Sequence, residues 1–161
     1  MIRVQREDFD PAEETRILVE GNHGIGSVVT FTGLVRETAD LGKGSEAISA
    51  MTLEHYPGMT EKMLGTIEAE ALARWPLDAS LLIHRYGRLE PGERIVFVLT
   101  ASAHREAAYE ANMFLIDWLK TKAPFWKQED GASGAKWVTA RDSDDSAAER
   151  WSSETPAKAA E

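Results

Sequence analysis

The stretch SAHREAAYEANMFLIDWLKTKAPFWK, Ser102 to Lys127, decides how the rest of the chain must be arranged. It reads as one long helix with cationic groups at both ends: His104 and Arg105 at its start, Lys120 and Lys122 in its last turn. Pro124 cannot continue a helix and ends it, and the aromatic segment that follows delivers Lys127. Ser102 has the residue type of an N-cap, which would leave backbone N–H groups pointing outward beside His104 and Arg105 and make an anion site there. Between the ends the helix is apolar almost all round, which predicts burial on more than one side. Tyr109, Met113, Ile116 and Lys120 follow +4, +3, +4 spacing, so Lys120 extends an apolar stripe.

Each of these features also has a plainer reading. Lysines in a last turn complement the helix dipole and are commonly solvated. Arg105 opposes the dipole where it stands, so it wants an anionic ligand or a carboxylate partner. Taken together, the cations describe an anion-binding pocket that contains lysines.

Moving outward, the strand Ile95 to Ala101 runs directly into this helix. Ser80 to Tyr86 precedes it, across the turn signature Glu90-Pro91-Gly92-Glu93, so an antiparallel hairpin is expected. Further upstream, Met59 to Trp75 reads as an amphipathic helix with Met59, Met63, Ile67, Ala71 and Trp75 on one face. Ile48 to Tyr56 and Ser27 to Arg36 read as strands, the latter with a glycine, Gly33, that can mark a bulge. The polar segment Glu37 to Glu46 between them is a loop. At the start, Ile2 to Gln5 is a short strand, and Asp10-Pro11-Ala12-Glu13 is a helix start with Asp10 as cap and Pro11 in first place. That helix runs through Val19 to a stop at Gly21. Gly21 to Ser27, GNHGIGS, resembles a phosphate loop, but a strand follows where a helix is needed, and it reads as a plain loop. Downstream, Gly131 to Gly134 is a turn and Lys136 to Ala140 a last strand. The pattern is that of an α+β domain with a mostly antiparallel sheet packed by helices.

The 161 residues suit one domain, residues 1–151, followed by an acidic tail over residues 152–161. With no cysteine, the chain has no disulfide scaffold, thiolate metal site or cysteine nucleophile. The four histidines are scattered without metal-ligand spacing, so no metal site is expected; His55 and His84 fall in apolar strands as core or edge residues. A net charge of −9 argues against nucleic acid as a partner. From Ala101 to Arg141, however, six Lys/Arg face five Asp/Glu, so the helix region is nearly neutral. The N-terminus is charged from Arg3 onward and no apolar run reaches membrane-spanning length, so a soluble cytoplasmic protein is expected. The residues left with chemistry to do are Arg36, His104, Arg105, Lys120 and Lys127. Arginines and a helix N-terminus can hold phosphate, and a desolvated lysine can serve as acid, base or nucleophile. Trp126, between Phe125 and Lys127, is the aromatic best placed for a planar ligand.

In VVTFTGLVR (Val28–Arg36), LEHYPGMTEKM (Leu53–Met63), IHRYGRLEPGERIVFV (Ile83–Val98), SAHREAAYEA (Ser102–Ala111), DWLKTKAPFWKQE (Asp117–Glu129) and KWVTARDSD (Lys136–Asp144), the sequence resembles the molybdopterin synthase catalytic (large) subunit family. The blocks keep their order and cover most of the chain from Ser27 to Trp151. The resemblance implies an α/β-hammerhead-type fold and a homodimer. Each chain would bind a small ubiquitin-like sulfur-carrier subunit whose C-terminal Gly-Gly thiocarboxylate enters the pocket, giving a heterotetramer. The reaction implied is conversion of cyclic pyranopterin monophosphate to molybdopterin by addition of two sulfurs, with no permanently bound cofactor. The resemblance makes Lys120 and Lys127 catalytic, and places His104 and Arg105 on the substrate phosphate, across the dimer interface. It adds Leu34, Val35, Arg36, Gln128, Glu129 and Arg141 as substrate-binding positions. Leu34 departs from relatives that carry a basic residue there, which removes a contact if that contact runs through the side chain. Two other readings fit the cations alone: a non-catalytic anion-binding scaffold, and a lysine Schiff-base enzyme acting on a phosphorylated carbonyl compound.

Overall fold

The computed structural model describes residues 1–37, 47–138, 148 and 150–152. The elements in chain order are β1 (Ile2–Gln5), α1 (Pro11–Val19), β2 (Ser27–Leu34), β3 (Ile48–His55), α2 (Met59–Arg74), β4 (Ala79–Arg85), β5 (Gly87–Leu89), β6 (Arg94–Ser102), α3 (Arg105–Lys122), β7 (Phe125–Gly131) and β8 (Gly134–Val138), with a 3-10 turn at Arg150–Ser152. They form two four-stranded sheets, ordered β1-β4-β6-β2 and β5-β3-β7-β8. Among the described residues only the β1–β4 pairing is parallel. This is the α+β, hammerhead-type arrangement expected: antiparallel-dominated sheets packed by helices.

Strand alternation divides the first sheet cleanly. Leu82, Val96 and Val98 face α2 and α3, where they pack with Leu64, Ile67, Phe114 and Leu115. Leu81, Ile83, Phe97 and Leu99 face the other way, onto Phe9 and Leu18. A third cluster of Val35, Ile48, Met51, Leu53 and Leu89 lies against the second sheet. Because period-2 side chains point to opposite faces, β4 and β6 can serve two apolar layers at once and are buried almost throughout.

The first helix begins as its sequence dictates: Asp10 accepts a hydrogen bond from the Ala12 N–H at 2.9 Å, and Pro11 occupies the first turn. Gly33 marks an irregularity, since the β2–β6 register shifts between Gly33 and Leu34. The hairpin pairing is also present, with Ala79 to His84 opposite Val96 to Ala101. Its connection is more than a turn, however. At Gly87, with φ of 93°, the chain leaves the first sheet and adds β5 to the second.

Three expectations need correction. Ser102 does not cap α3. It still pairs with Ser27 at the end of β6, and its hydroxyl donates to the Pro76 carbonyl at 2.8 Å. The cap position belongs to His104, and the helix starts at Arg105. Nor is α3 covered all round: Tyr109 and Met113 are 58% and 44% exposed. In α2 the buried stripe is Thr60, Leu64, Ile67 and Ala71, while Met59 is exposed. The expected face advanced by four residues at every step, which drifts about 40° per step around a helix of 3.6 residues per turn. Arg141, most of the loop ending at Glu46, the end of the last expected strand and the tail beyond Ser152 lie outside the described residues.

The position of α3 is fixed by a polar group inside the apolar layer. The buried Asn112 amide lies 3.2 Å from the Val29 carbonyl, 3.3 Å from that of Val98 and 3.2 Å from Thr100 Oγ1, tying the helix to β2 and β6. Thr100 in turn donates to the Ala108 carbonyl at 2.7 Å. At the helix entrance a Cβ on Gly26 would stand 2.3 Å from the Ala103 carbonyl oxygen, a backbone atom that cannot swing away. Gly26→Ala is therefore expected to cost about 1–3 kcal/mol, read as a lower urea midpoint with unchanged slope.

Candidate functional site

Lys127 and Glu129 stand two residues apart on β7 and so on one face of the second sheet. Lys127 is paired across the sheet with Leu53 and Val138, and Glu129 with Met51 and Lys136. The Lys127 ammonium donates to Glu129 Oε1 at 2.7 Å. The carboxylate is almost sealed, with 11% of the Glu129 side chain exposed against 32% for Lys127. A lysine ammonium has three N–H donors. One is committed to Glu129, which leaves two for other partners. The apolar floor of this face is the cluster that contains Met51, Leu53 and Val35.

Val35 connects the end of β2 to this floor. It is 2% exposed, its N–H donates to the Glu93 carbonyl at 2.9 Å, and its own carbonyl accepts from the Gly92 N–H at 2.8 Å. Arg36 therefore leaves the fold from a clamped backbone and is itself exposed. Leu34, on the near side of the bulge, is 51% exposed. Gln128 alternates to the opposite face of β7, with Trp126 in the same strand and with Trp137, its partner on β8. Both tryptophans are exposed. The structure thus brings Lys127, Glu129 and the Val35 backbone to one side of the second sheet, and sends Gln128 and Trp126 to the other.

Lys120 is exposed in the last turn of α3, before the reversal at Ala123-Pro124 that leads into β7. Lys122 has a local explanation, since its ammonium sits 3.5 Å over the Trp118 ring. His104 and Arg105 are exposed at the other end of the same helix. At 1.5 Å per residue, the 15 steps of α3 from Arg105 to Lys120 separate the two cationic ends by about 22 Å. One small ligand cannot touch both ends of a single copy.

Sequence reasoning passed over Lys136, which strand alternation puts on the Lys127–Glu129 face directly opposite Glu129. It also left His84 as a core residue without further role. The His84 ring is 5% exposed and stacks on Phe125 with centroids 3.7 Å apart and planes 16° from parallel. Burial, reinforced by the neighbouring His55, pushes His84 down to about 4, against a partial offset from its hydrogen bond to the Arg85 carbonyl. The consequence for stability has a definite sign. As pH falls below the ordinary value of 6.5, the unfolded chain takes up a proton that the folded chain refuses until about 4, so stability declines across that window. The loss expected from this residue is about 3 kcal/mol between pH 6.5 and 4, and His84→Phe should remove that part of the slope in urea titrations at stepped pH.

A long helix with Lys120 in its last turn, a strand presenting Lys127 on Glu129, and two antiparallel-dominated sheets define a hammerhead-type α+β domain with a lysine-bearing site. Residues 4–122 match the family model described as MoaE protein, and the chain belongs to that family. It is 58% identical to the molybdopterin synthase catalytic subunit of Pseudomonas aeruginosa over 150 residues, which is 93% of this chain and 97% of that protein. It is 52% identical to the same subunit of Escherichia coli over 150 residues, again 93% of this chain and 97% of the relative. Among solved structures, the molybdopterin biosynthesis MoaE protein of Burkholderia ambifaria superposes with a TM-score of 0.79 at 47% identity, covering 96% of this chain and 99% of that one.

Proposed function

We propose that this chain is the catalytic subunit of a molybdopterin synthase, acting in the cytoplasm as a sulfurtransferase. Its substrate is cyclic pyranopterin monophosphate, and its sulfur donor is the C-terminal Gly-Gly thiocarboxylate of a small ubiquitin-like carrier subunit. Two transfers build the dithiolene. The observation that carries this reading is 58% identity, across nearly the whole of both chains, to a protein named as the catalytic subunit of that enzyme. The name "subunit" also supports assembly with a second kind of chain.

The residues supply what such a transfer needs. When the thiocarboxylate sulfur attacks a carbon of the pterin side chain, a C–S bond forms as a C–O bond breaks and negative charge develops on oxygen. A preorganised ammonium stabilises that charge or protonates the leaving oxygen. Lys127, held by Glu129, is built for such fixed donation, and Lys120 supplies the second ammonium. Water then cleaves the acyl–sulfur bond, leaving the sulfur on the pterin and a carboxylate on the carrier. Arg36, on its clamped backbone, is a substrate contact, as is Arg141. His104 and Arg105 hold the substrate phosphate from the second copy in a homodimer, because their own Lys120 lies a helix length away.

The test is conversion of cyclic pyranopterin monophosphate by the purified chain with a thiocarboxylated carrier, read as formation of the dithiolene product. Product formation that requires both the chain and the thiocarboxylate is the expected result. A chain that binds the carrier yet yields no product would favour an anion-binding scaffold.

A further inference from the structure

We propose that His84 is a positioning residue of the sulfur-transfer site, holding Phe125 and through it the turn that sets Lys120 and Lys127 relative to each other. The inference rests on the function proposed above for the two lysines. They belong to different bodies: Lys120 to α3, which packs on the first sheet, and Lys127 to β7 in the second. Between α3 and β7 lie only Ala123 and Pro124, drawn into a tight reversal by the Phe125 N–H donating to the Ala123 carbonyl at 2.8 Å. Whatever fixes Phe125 therefore fixes the relation between helix and strand, and with it the spacing of the two ammonium groups.

His84 is what Phe125 meets. It projects from β4 of the first sheet and lies flat on the first residue of β7, so the stack joins the two sheets at the point where the chain passes from one to the other. Its plane is set by a second contact. His84 Nδ1 is 2.9 Å from the Arg85 carbonyl oxygen, which can only accept, so Nδ1 carries the hydrogen. That carbonyl does not drift, because the buried Arg85 guanidinium donates to the Arg6 carbonyl at 3.0 Å and the Arg94 carbonyl at 2.9 Å, and pairs with Glu93 at 3.3 Å. The cross-strand partner of Phe125, His55, stands with ring centroids 6.1 Å away and rests on Tyr86 at 4.5 Å. A leucine would fill the volume at position 84. An anchored planar ring additionally dictates the tilt of Phe125, and a catalytic pair is sensitive to displacements of about 1 Å.

The chain has no cysteine, so the geometry can be read without turnover. Nitroxides placed on Lys120→Cys and Lys127→Cys, in protein diluted with unlabelled chain, should give a narrow dipolar distance distribution. His84→Ala should broaden it, and His84→Phe, which keeps the stack but loses the bond to the Arg85 carbonyl, should narrow it again in part. In the conversion assay His84→Ala should lower kcat about tenfold to a hundredfold with KM for the pterin within about twofold, and His84→Phe, with the stack but without the anchor, should recover part of the loss. An unchanged distance distribution in His84→Ala, or a His84→Phe variant as impaired as His84→Ala, would overturn the proposal. If His84→Ala does not fold, Phe125→Leu replaces it: broadening there supports the proposal and a narrow distribution overturns it. Because the distances need no substrate, a chain without synthase activity would refute the function while leaving the positioning measurable.

Discussion

Replacing Lys127 with alanine is expected to slow dithiolene formation by at least about a hundredfold, a loss of roughly 2.7 kcal/mol of transition-state stabilisation. Lys120→Ala should lose a comparable factor. The two variants should differ in stability. Removing Lys127 strands Glu129, whose side chain is 11% exposed and whose ammonium partner at 2.7 Å is gone. An orphaned buried carboxylate costs on the order of 1–3 kcal/mol, so Lys127→Ala should unfold at lower urea than the unsubstituted chain. Lys120 is exposed at a helix end, where a substitution usually moves stability by no more than about 0.5 kcal/mol. Single-turnover rates with thiocarboxylated carrier, set beside urea midpoints, separate the two effects. A Lys120→Ala variant that turns over normally would remove that lysine from the chemistry and leave Lys127 with the whole task. Lys127→Arg should keep an ion pair with Glu129 and still not rescue turnover, because a guanidinium does not give up a proton and presents its donors in a fixed planar fork.

How far the sequence reaches depends on the range of the interaction involved. Asp10-Pro11 specifies a helix start through atoms two residues apart, and that start is found as read. The β-branched run from Ser27 and the apolar runs in β4 and β6 specify strands through their own composition. Ser102 was misread for a tertiary reason: its hydroxyl finds Pro76, 26 residues away, and its backbone stays in the ladder with Ser27. The three-residue β5 was missed because its pairing with β3 depends on a departure from the first sheet at Gly87 rather than on any periodicity.

The site shows the same division. Lys120 and Lys127 are visible as cations flanking a proline, and the Lys127–Glu129 pair follows from strand alternation once β7 is known to be a strand. The stack of His84 on Phe125 joins residues 41 positions apart in different sheets, and no local pattern announces it. The exposed Tyr109 and Met113 were read as buried because helix composition reports how much apolar surface there is, not which molecule covers it.

That uncovered stripe bears on the second large effect. Lys127→Ala and Arg105→Ala, each nearly inactive alone, should regain activity when mixed and allowed to exchange subunits. Arg105 and Lys120 stand 15 residues apart on α3, about 22 Å along its axis, so a phosphate held at Arg105 is remote from the Lys120 ammonium of the same copy. In a two-fold dimer each site would combine the lysines of one chain with His104 and Arg105 of the other. A mixed dimer then has one site that lost both groups and one site that kept both. With random exchange half the dimers are mixed, and about a quarter of the unsubstituted activity should return. If all the groups of a site came from one chain, every chain in the mixture would carry a defective site and no activity could return. Recovery would also assign the exposed Tyr109 and Met113, which lie on the helix between the two ends, to the neighbourhood of the second copy. A mixture that exchanges subunits yet stays inactive would overturn the shared site and draw every group of a site from one chain, among them Arg36, which leaves the fold beside the Lys127 floor through the clamped backbone of Val35.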